Sequence, residues 1–174
     1  MRDLTIRLAT DGDARSIAQI YNHYVRSSTA TFDTAERSVE DQSARLQQHA
    51  ASHPVVVAET DDEIVAWGSL SPWGTRCAYQ HTVEISVYVA PQSAGDGIGP
   101  AVSAVLIERA RELGHHAVVS QIVHENDPSL SMARRLGFEY VGTLREVGRK
   151  FDRWLDVVLM ELVLDRSAQG EVSS

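Results

Sequence analysis

Glu84 stands in a run otherwise built for packing. Ile85, Val87 and Val89 alternate with Ser86 and Tyr88, the period of a half-buried strand. A carboxylate there is costly unless it is paired, used in chemistry, or turned to water on an edge strand. Pro91 ends the run, having no N–H for a sheet ladder. Gly95-Asp96-Gly97-Ile98-Gly99 then passes straight into an apolar helical pattern through Ile98, Val102, Val105, Leu106 and Leu113. A glycine turn opening a helix after a strand offers unpaired N–H groups at the positive end of the helix dipole, a site for phosphate oxygens, although many glycine turns are only turns. The spacing matches neither a Walker loop nor a dinucleotide fingerprint. Arg76, the cation shortly upstream, is either a solvated surface residue or a fork for an anionic group.

The elements that must position these residues follow from period and punctuation. Leu4–Leu8 reads as a strand, and Asp11 as the cap of a helix carrying Ala14, Ile17, Ala18, Tyr21, Tyr24 and Val25 on one face. Ser27–Phe32 is a loop, with Phe32 either a core plug or a cover over a pocket. Ser38 opens a polar helix to about Ser52. Val55–Glu59 and Ile64–Leu70 form a hairpin about Thr60–Glu63, and the strand holding Glu84 follows. The helix from Gly97 ends at Gly114. Ala117–Ile122 is a strand, Asp127 caps a short helix with Pro128 in its first turn, and Tyr140–Leu144 and Trp154–Leu164 are strands around a Glu146–Asp152 loop.

Composition excludes several classes. At 174 residues, 43% hydrophobic, the chain can bury one sizeable core, and no linker divides it; residues 1–164 read as one domain and 165–174 as a frayed tail. A net charge of −8 argues against broad nucleic-acid or anionic-membrane binding. No apolar run reaches membrane-spanning length and no signal peptide opens the chain, so a cytoplasmic protein is expected. Cys77 is the sole cysteine, which rules out an internal disulfide or cysteine metal cage. His115-His116, at a helix end, suggests a solvated or dipole-facing pair, and no metal site is expected.

The order β-α-α-β-β-β-α-β-α-β-β resembles the GCN5-related N-acetyltransferase (GNAT) fold over nearly the whole chain. Ile20-Tyr21-Asn22, Thr29-Ala30-Thr31-Phe32, Arg76-Cys77-Ala78-Tyr79, Thr82-Val83-Glu84, Val87-Tyr88-Val89, Asn126-Asp127-Pro128-Ser129, Leu136-Gly137-Phe138 and Trp154-Leu155-Asp156-Val157 together resemble its phosphinothricin N-acetyltransferase branch. The resemblance implies an α/β (α+β) fold: a mixed central sheet of about seven strands, forked between the fourth and fifth, with about four flanking helices. It implies acetyl-CoA as acetyl donor and a small amino-acid-like amine as acceptor, of the phosphinothricin, methionine sulfone or methionine sulfoximine type. The alternatives are a GNAT acting on a peptide N-terminus or polyamine, and a degenerate CoA-binding regulatory module.

Residue by residue, the resemblance makes Glu84 the general base. It assigns Val87, Tyr88 and Val89 to the pantetheine and thioester. Gly95, Asp96, Gly97, Ile98, Gly99 and Pro100 fall at the pyrophosphate turn, and Asn126, Ser129 and Arg135 are further CoA contacts. Phe32, Thr75, Arg76, Cys77, Tyr79 and Ile85 would form the acceptor pocket, with Arg76 forking the substrate anion. A homodimer is implied, with the Glu146–Trp154 segment near the partner's site. Two departures stand out. Ala94, Asp96 and Pro100 replace residues that are usually polar or basic around the glycines. Ala133 replaces a Tyr or His suited to protonate the leaving thiolate, a role left to water, His124 or Tyr140, or to unassisted departure.

Overall fold

In the computed structural model, which describes residues 3–49 and 51–164, chain order is β1 (Thr5–Leu8), α1 (Ala14–Ser27), α2 (Val39–Gln48), β2 (Val55–Thr60), β3 (Glu63–Pro72) and β4 (Thr82–Val89). It continues with α3 (Ile98–Glu112), β5 (Ala117–Val123), α4 (Asp127–Arg135), β6 (Glu139–Lys150) and β7 (Arg153–Val163). The expected tail, 165–174, lies outside the described residues.

One seven-stranded sheet runs β1-β2-β3-β4-β5-β7-β6. Every neighbouring pair is antiparallel except β4 and β5. This is the mixed sheet expected, and β4 lies at its centre, so the edge-strand reading of Glu84 is wrong. Val83, Ile85, Val87 and Val89 of β4 pack with Ile98, Val102 and Leu106 of α3 on one face. Tyr88 and Trp67 pack with Ile17, Tyr21 and Val25 of α1 on the other. The α3 face is tight at Gly68, where an added Cβ would lie 2.8 Å from Leu106 and 2.9 Å from the Ser86 carbonyl oxygen. Only hydrogen fits there, which lets α3 sit low over β3 and β4.

Local chemistry moved several boundaries. Asp11 does not cap α1: it begins a 3-10 turn, Asp11–Asp13, before the helix. Asp13 stands at the N-cap of α1 without a side-chain cap hydrogen bond; its carboxylate closes a capping box on the 3-10 turn, accepting from the Thr10 N–H at 2.7 Å and from Arg7 at 2.8 Å. Helix α2 is capped by Ser38 as expected but stops at Gln48, because His49 turns extended. Asp61 and Asp62 both adopt positive φ, giving β2 and β3 a two-residue turn. The expected 146–152 loop is instead mostly strand: β6 runs on to Lys150, and Phe151 and Asp152, both at positive φ, make the turn. Register shifts between Tyr140 and Gly142 and between Leu144 and Gly148 break the alternation that would have revealed it. His115 is buried, with its Nε2 2.7 Å from the Ser52 carbonyl oxygen, so that pair is not simply solvated.

Candidate active site

The site begins where β4 and β5 part. They pair only at Thr82 with Ala117, Val83 with Val118 and Glu84 with Val119. Beyond that, β4 stays on β3 as far as Val89 with Ala66, while β5 stays on β7 as far as Val123 with Val157. A wedge opens between them.

Strand parity fixes which backbone groups look into the wedge. The His81 carbonyl accepts from Ala117 N at 3.2 Å on the β5 side, and the Thr82 carbonyl accepts from Trp73 N at 3.4 Å on the β3 side. Alternating onward, the N–H and C=O of Ile85, Val87 and Val89 face the wedge, and those of Ser86 and Tyr88 face β3. The far end obeys the same rule: Ala90 N donates to the Val65 carbonyl at 2.7 Å, and the Val89 carbonyl accepts from the Tyr24 hydroxyl at 2.5 Å. Val87 therefore presents both of its backbone groups to a ligand in the wedge. Tyr88 brings its ring instead, stacked on Trp67 at 5.1 Å on the α1 face.

Glu84 occupies the last paired position, with its side chain on the α1 face alongside Ser86 and Tyr88. Burial pushes its carboxyl above the usual carboxylate range, while a hydrogen bond donated by Gln121 Nε2 at 3.1 Å draws it back. Gln121 comes from β5, so this contact spans the mouth of the wedge.

A cavity of about 90 Å³ fills the wedge, lined by Ile85, Val87, Ser120, Gln121, Asn126 and Ala133 among others. Sharing Ala30, Val87, Asn126, Ser129 and Met132 with it, a larger space of about 440 Å³ continues past Val89 to Gly95, Gly97, Gly99, Pro100 and Arg135. The two form one groove from Ile85 and Gln121 to the glycine turn; Glu84 lines neither part and meets the groove through its contact with Gln121.

At that turn Gly95 and Gly97 have φ of 92° and 78°, and an added Cβ would meet nothing within 4 Å at either. Glycine is there for backbone conformation, not for space. Gly97 is the N-cap of α3, so the Ile98 and Gly99 amides fall in its first turn, where N–H groups lack helical acceptors. Pro100 contributes none. The Ile98 side chain itself is buried in the core, and Asp96 is exposed. Asn126, not Asp127, caps α4: its Oδ1 accepts from Ser129 N at 3.3 Å, which leaves its amide N–H groups for another acceptor.

The expected acceptor residues are less gathered. Ile85 is buried beside the wedge. Thr75, Arg76, Cys77 and Tyr79 lie exposed in the β3–β4 connection and line none of these cavities, and among the described residues no ion pair joins Arg76 to Glu84. Phe32 is no core plug. It is 37% exposed and lies against β6, where a Cβ on Gly148 would fall 2.1 Å from its ring. Ala133 lines the wedge, but neither His124 nor Tyr140 does.

Sequence reasoning missed Gln121, Tyr24, Ala30 and Lys150. Lys150 is 5% exposed and donates to the carbonyls of Tyr24, Ser28 and Thr31 at 3.3, 2.7 and 2.7 Å, pinning the loop that carries Ala30 over the groove. Gln121 had left a trace: a long polar residue inside an apolar strand, as Glu84 is in β4.

Residues 6–159 match the family described as "Acetyltransferase (GNAT) domain". The chain is 35% identical over 169 residues to the L-amino acid N-acyltransferase MnaT of Escherichia coli, covering 97% of this chain and 98% of that one. It is 35% identical over 163 residues to the phosphinothricin N-acetyltransferase of Streptomyces coelicolor, covering 91% and 95%. A putative acetyltransferase of Salmonella typhimurium, solved with its cofactor acetyl-CoA, superposes with a TM-score of 0.91 at 33% identity, covering 98% of this chain and 99% of that one.

Proposed function

The chain belongs to the GNAT acetyltransferase family and is an acetyl-CoA-dependent N-acetyltransferase; from that premise we propose that it acetylates the free amine of a small amino acid at Glu84. The observation that carries this reading is the continuous groove joining the β4–β5 wedge to the glycine turn, with the half-buried Glu84 carboxylate hydrogen-bonded to Gln121, which lines its inner end. The named activities of the similar E. coli and S. coelicolor enzymes support an amino-acid acceptor.

The residues present suit acetyl-CoA. Open left-handed glycines and the first-turn amides of α3 would hold its pyrophosphate, and Val87, Asn126, Ser129 and Arg135 its pantetheine arm. When bound, it supplies an acetyl group on a thioester. The chain's own residues do the rest. Glu84 takes the proton that the acceptor's ammonium must lose before its nitrogen can attack, and a carboxyl above its usual range is better matched to that proton. The N–H of Val87, turned into the wedge, donates to the carbonyl oxygen as negative charge builds there. Arg76, at the end of the strand pair that carries Glu84, holds the acceptor's α-carboxylate. No side-chain acid stands at Ala133, so the thiolate leaves to solvent. A thiolate tolerates this.

The working form is a cytoplasmic homodimer. Val141, Leu144, Val147, Phe151 and Trp154 expose apolar surface along the β6–β7 hairpin, which suits a second copy. No helix among the described residues is long and apolar enough to cross a membrane. Free-thiol release from acetyl-CoA over a panel of amino acids, polyamines and peptides tests the reading. Turnover confined to amino acids is expected, and a folded protein that consumes no thioester with any amine overturns it.

A further inference from the structure

Strand parity gives the wedge two faces. Glu84 and Gln121 meet on the α1 side, whereas Ile85, Val87, Val118 and Ile122 belong to the cluster packed with α3. Ser120 falls between Val118 and Ile122 in that alternation, so its hydroxyl is on the α3 side as well. There the inner end of the cavity of about 90 Å³ is closed by Ser103 of α3 and by Ala133, Leu136 and Phe138. None of these four lines the larger space that runs to the glycine turn.

Two hydroxyls in this hollow lack partners. Ser103 is 2% exposed, and neither its hydroxyl nor that of Ser120 makes a hydrogen bond to another described residue. A serine on a helix commonly turns its hydroxyl back to the carbonyl one turn earlier, as Ser27 does to the His23 carbonyl at 2.6 Å. Ser103 does not, and native structures rarely leave a buried polar group unsatisfied. Apart from these two hydroxyls, the side chains here are apolar, and Ala133 adds only a methyl group. The hollow has several times the ~15 Å³ that one water needs, and such a water takes about two to four polar partners.

We infer that the Ser103 and Ser120 hydroxyls hold a water in this hollow, and that this water gives the departing CoA sulfur its proton. Nitrogen then arrives on the α1 face, beside Glu84, and sulfur is met on the opposite face. As the carbon–sulfur bond breaks, its electron pair stays on sulfur, which takes a proton from the water. The hydroxide left behind is neutralised, through solvent in the groove, by a proton from the nitrogen. An ammonium that becomes an amide loses two protons: one passes to Glu84 and the other balances the sulfur. Ser103 and Ser120 are therefore positioning residues that act through the water. The inference rests on acetyl transfer at Glu84 and says where solvent meets the thiolate.

A crystal structure of the full chain with CoA reads the geometry without turnover. It should show a water within hydrogen-bond distance of both hydroxyls and of the sulfur. A dry hollow, or a water on sulfur that touches neither serine, overturns the inference. Kinetics read the consequence. Combining Ser103→Ala with Ser120→Ala should lower kcat about tenfold, less than the full share of a positioned acid because bulk water still reaches the groove. KM for acetyl-CoA should stay within about twofold, since the hydroxyls act on departure and not on binding. Ala133→His places a titratable ring in the hollow, so in that background the same two substitutions should change kcat by less than about twofold. Equal losses in both backgrounds, or no loss in the chain that keeps Ala133, overturn the inference while leaving acetyl transfer intact. A wild-type protein inert toward every amine overturns the acetyltransferase reading beneath it.

Discussion

Glu84 and Gln121 meet across the mouth of the wedge, and with Glu84 as the proposed base their contact should set the pH dependence of the reaction. Burial raises the carboxyl and the Gln121 donor lowers it. Glu84 must be ionised to accept a proton, so activity should rise with pH through a value above the ordinary carboxylate range. Gln121→Leu removes the lowering contribution, and the acid limb of kcat/KM should move to higher pH. A limb that stays put would separate Gln121 from the base. Arg76 is tested by charge. Arg76→Ala should weaken binding of α-amino acids by about 1.5–3 kcal/mol, less if solvent screens the exposed guanidinium, with simple amines lacking a carboxylate nearly indifferent. Equal losses in both classes would make Arg76 structural. At this scale the sequence was informative where a residue type defied its surroundings, as Glu84 did. It was silent on Lys150, whose surroundings come from a helix end more than a hundred positions earlier.

Among the elements, the α1–α2 connection and the phosphate turn carry the most direct consequences. Lys150 meets three carbonyls with three ammonium donors, and desolvation holds its pKa below the usual lysine value. That shift means that, on balance, burying the charged ammonium opposes folding, while its three hydrogen bonds satisfy carbonyls that would otherwise be left without a donor. Lys150→Met leaves three carbonyls near the end of α1 without their donor. It should destabilise the fold by about 2–4 kcal/mol on the ~1–3 kcal/mol scale of an unsatisfied buried group, and raise proteolysis within 28–32. An unchanged melting temperature would show that water replaces it. In the glycine turn proposed to hold the pyrophosphate, Asp96 puts a carboxylate beside the expected polyanion. Combining Ala94→Arg with Asp96→Lys should tighten acetyl-CoA binding at low ionic strength, with the gain fading as salt screens it. Titration at two salt concentrations reads this directly, and a salt-independent gain would point to new contacts instead of charge. Element order was legible because strand and helix periods and Gly/Pro punctuation agree over most of the chain. Both strands of the β6–β7 hairpin were legible, but the run of β6 on to Lys150 was not, because its bulges and the run Arg145–Lys150 erase alternation, and tertiary pairing decides the strand.

For the whole molecule, the fold exists to hold β4 and β5 apart. Three paired residues anchor them, α3 packs low over Gly68, and β7 draws β5 away. The general plan could be anticipated from the sequence. The handover of backbone groups could not, since whether Val87 or Tyr88 faces the wedge depends on register with β3. Gathering of the acceptor pocket was also out of reach, because the Thr75–Tyr79 connection stays exposed in the single chain.

The central claim is that the groove binds acetyl-CoA independently of Glu84, while Glu84 alone accepts the proton. Glu84→Gln keeps the shape of the side chain and removes a buried charge that opposes folding, so stability near neutral pH should not fall. Calorimetric titration with acetyl-CoA alongside steady-state turnover of the best amino acid measures both halves in one preparation. The account predicts an unchanged Kd for acetyl-CoA and a kcat lower by ~10²–10⁴, the usual share of general-base catalysis. A variant that turns over at the wild-type rate, or one that no longer binds acetyl-CoA, would contradict it.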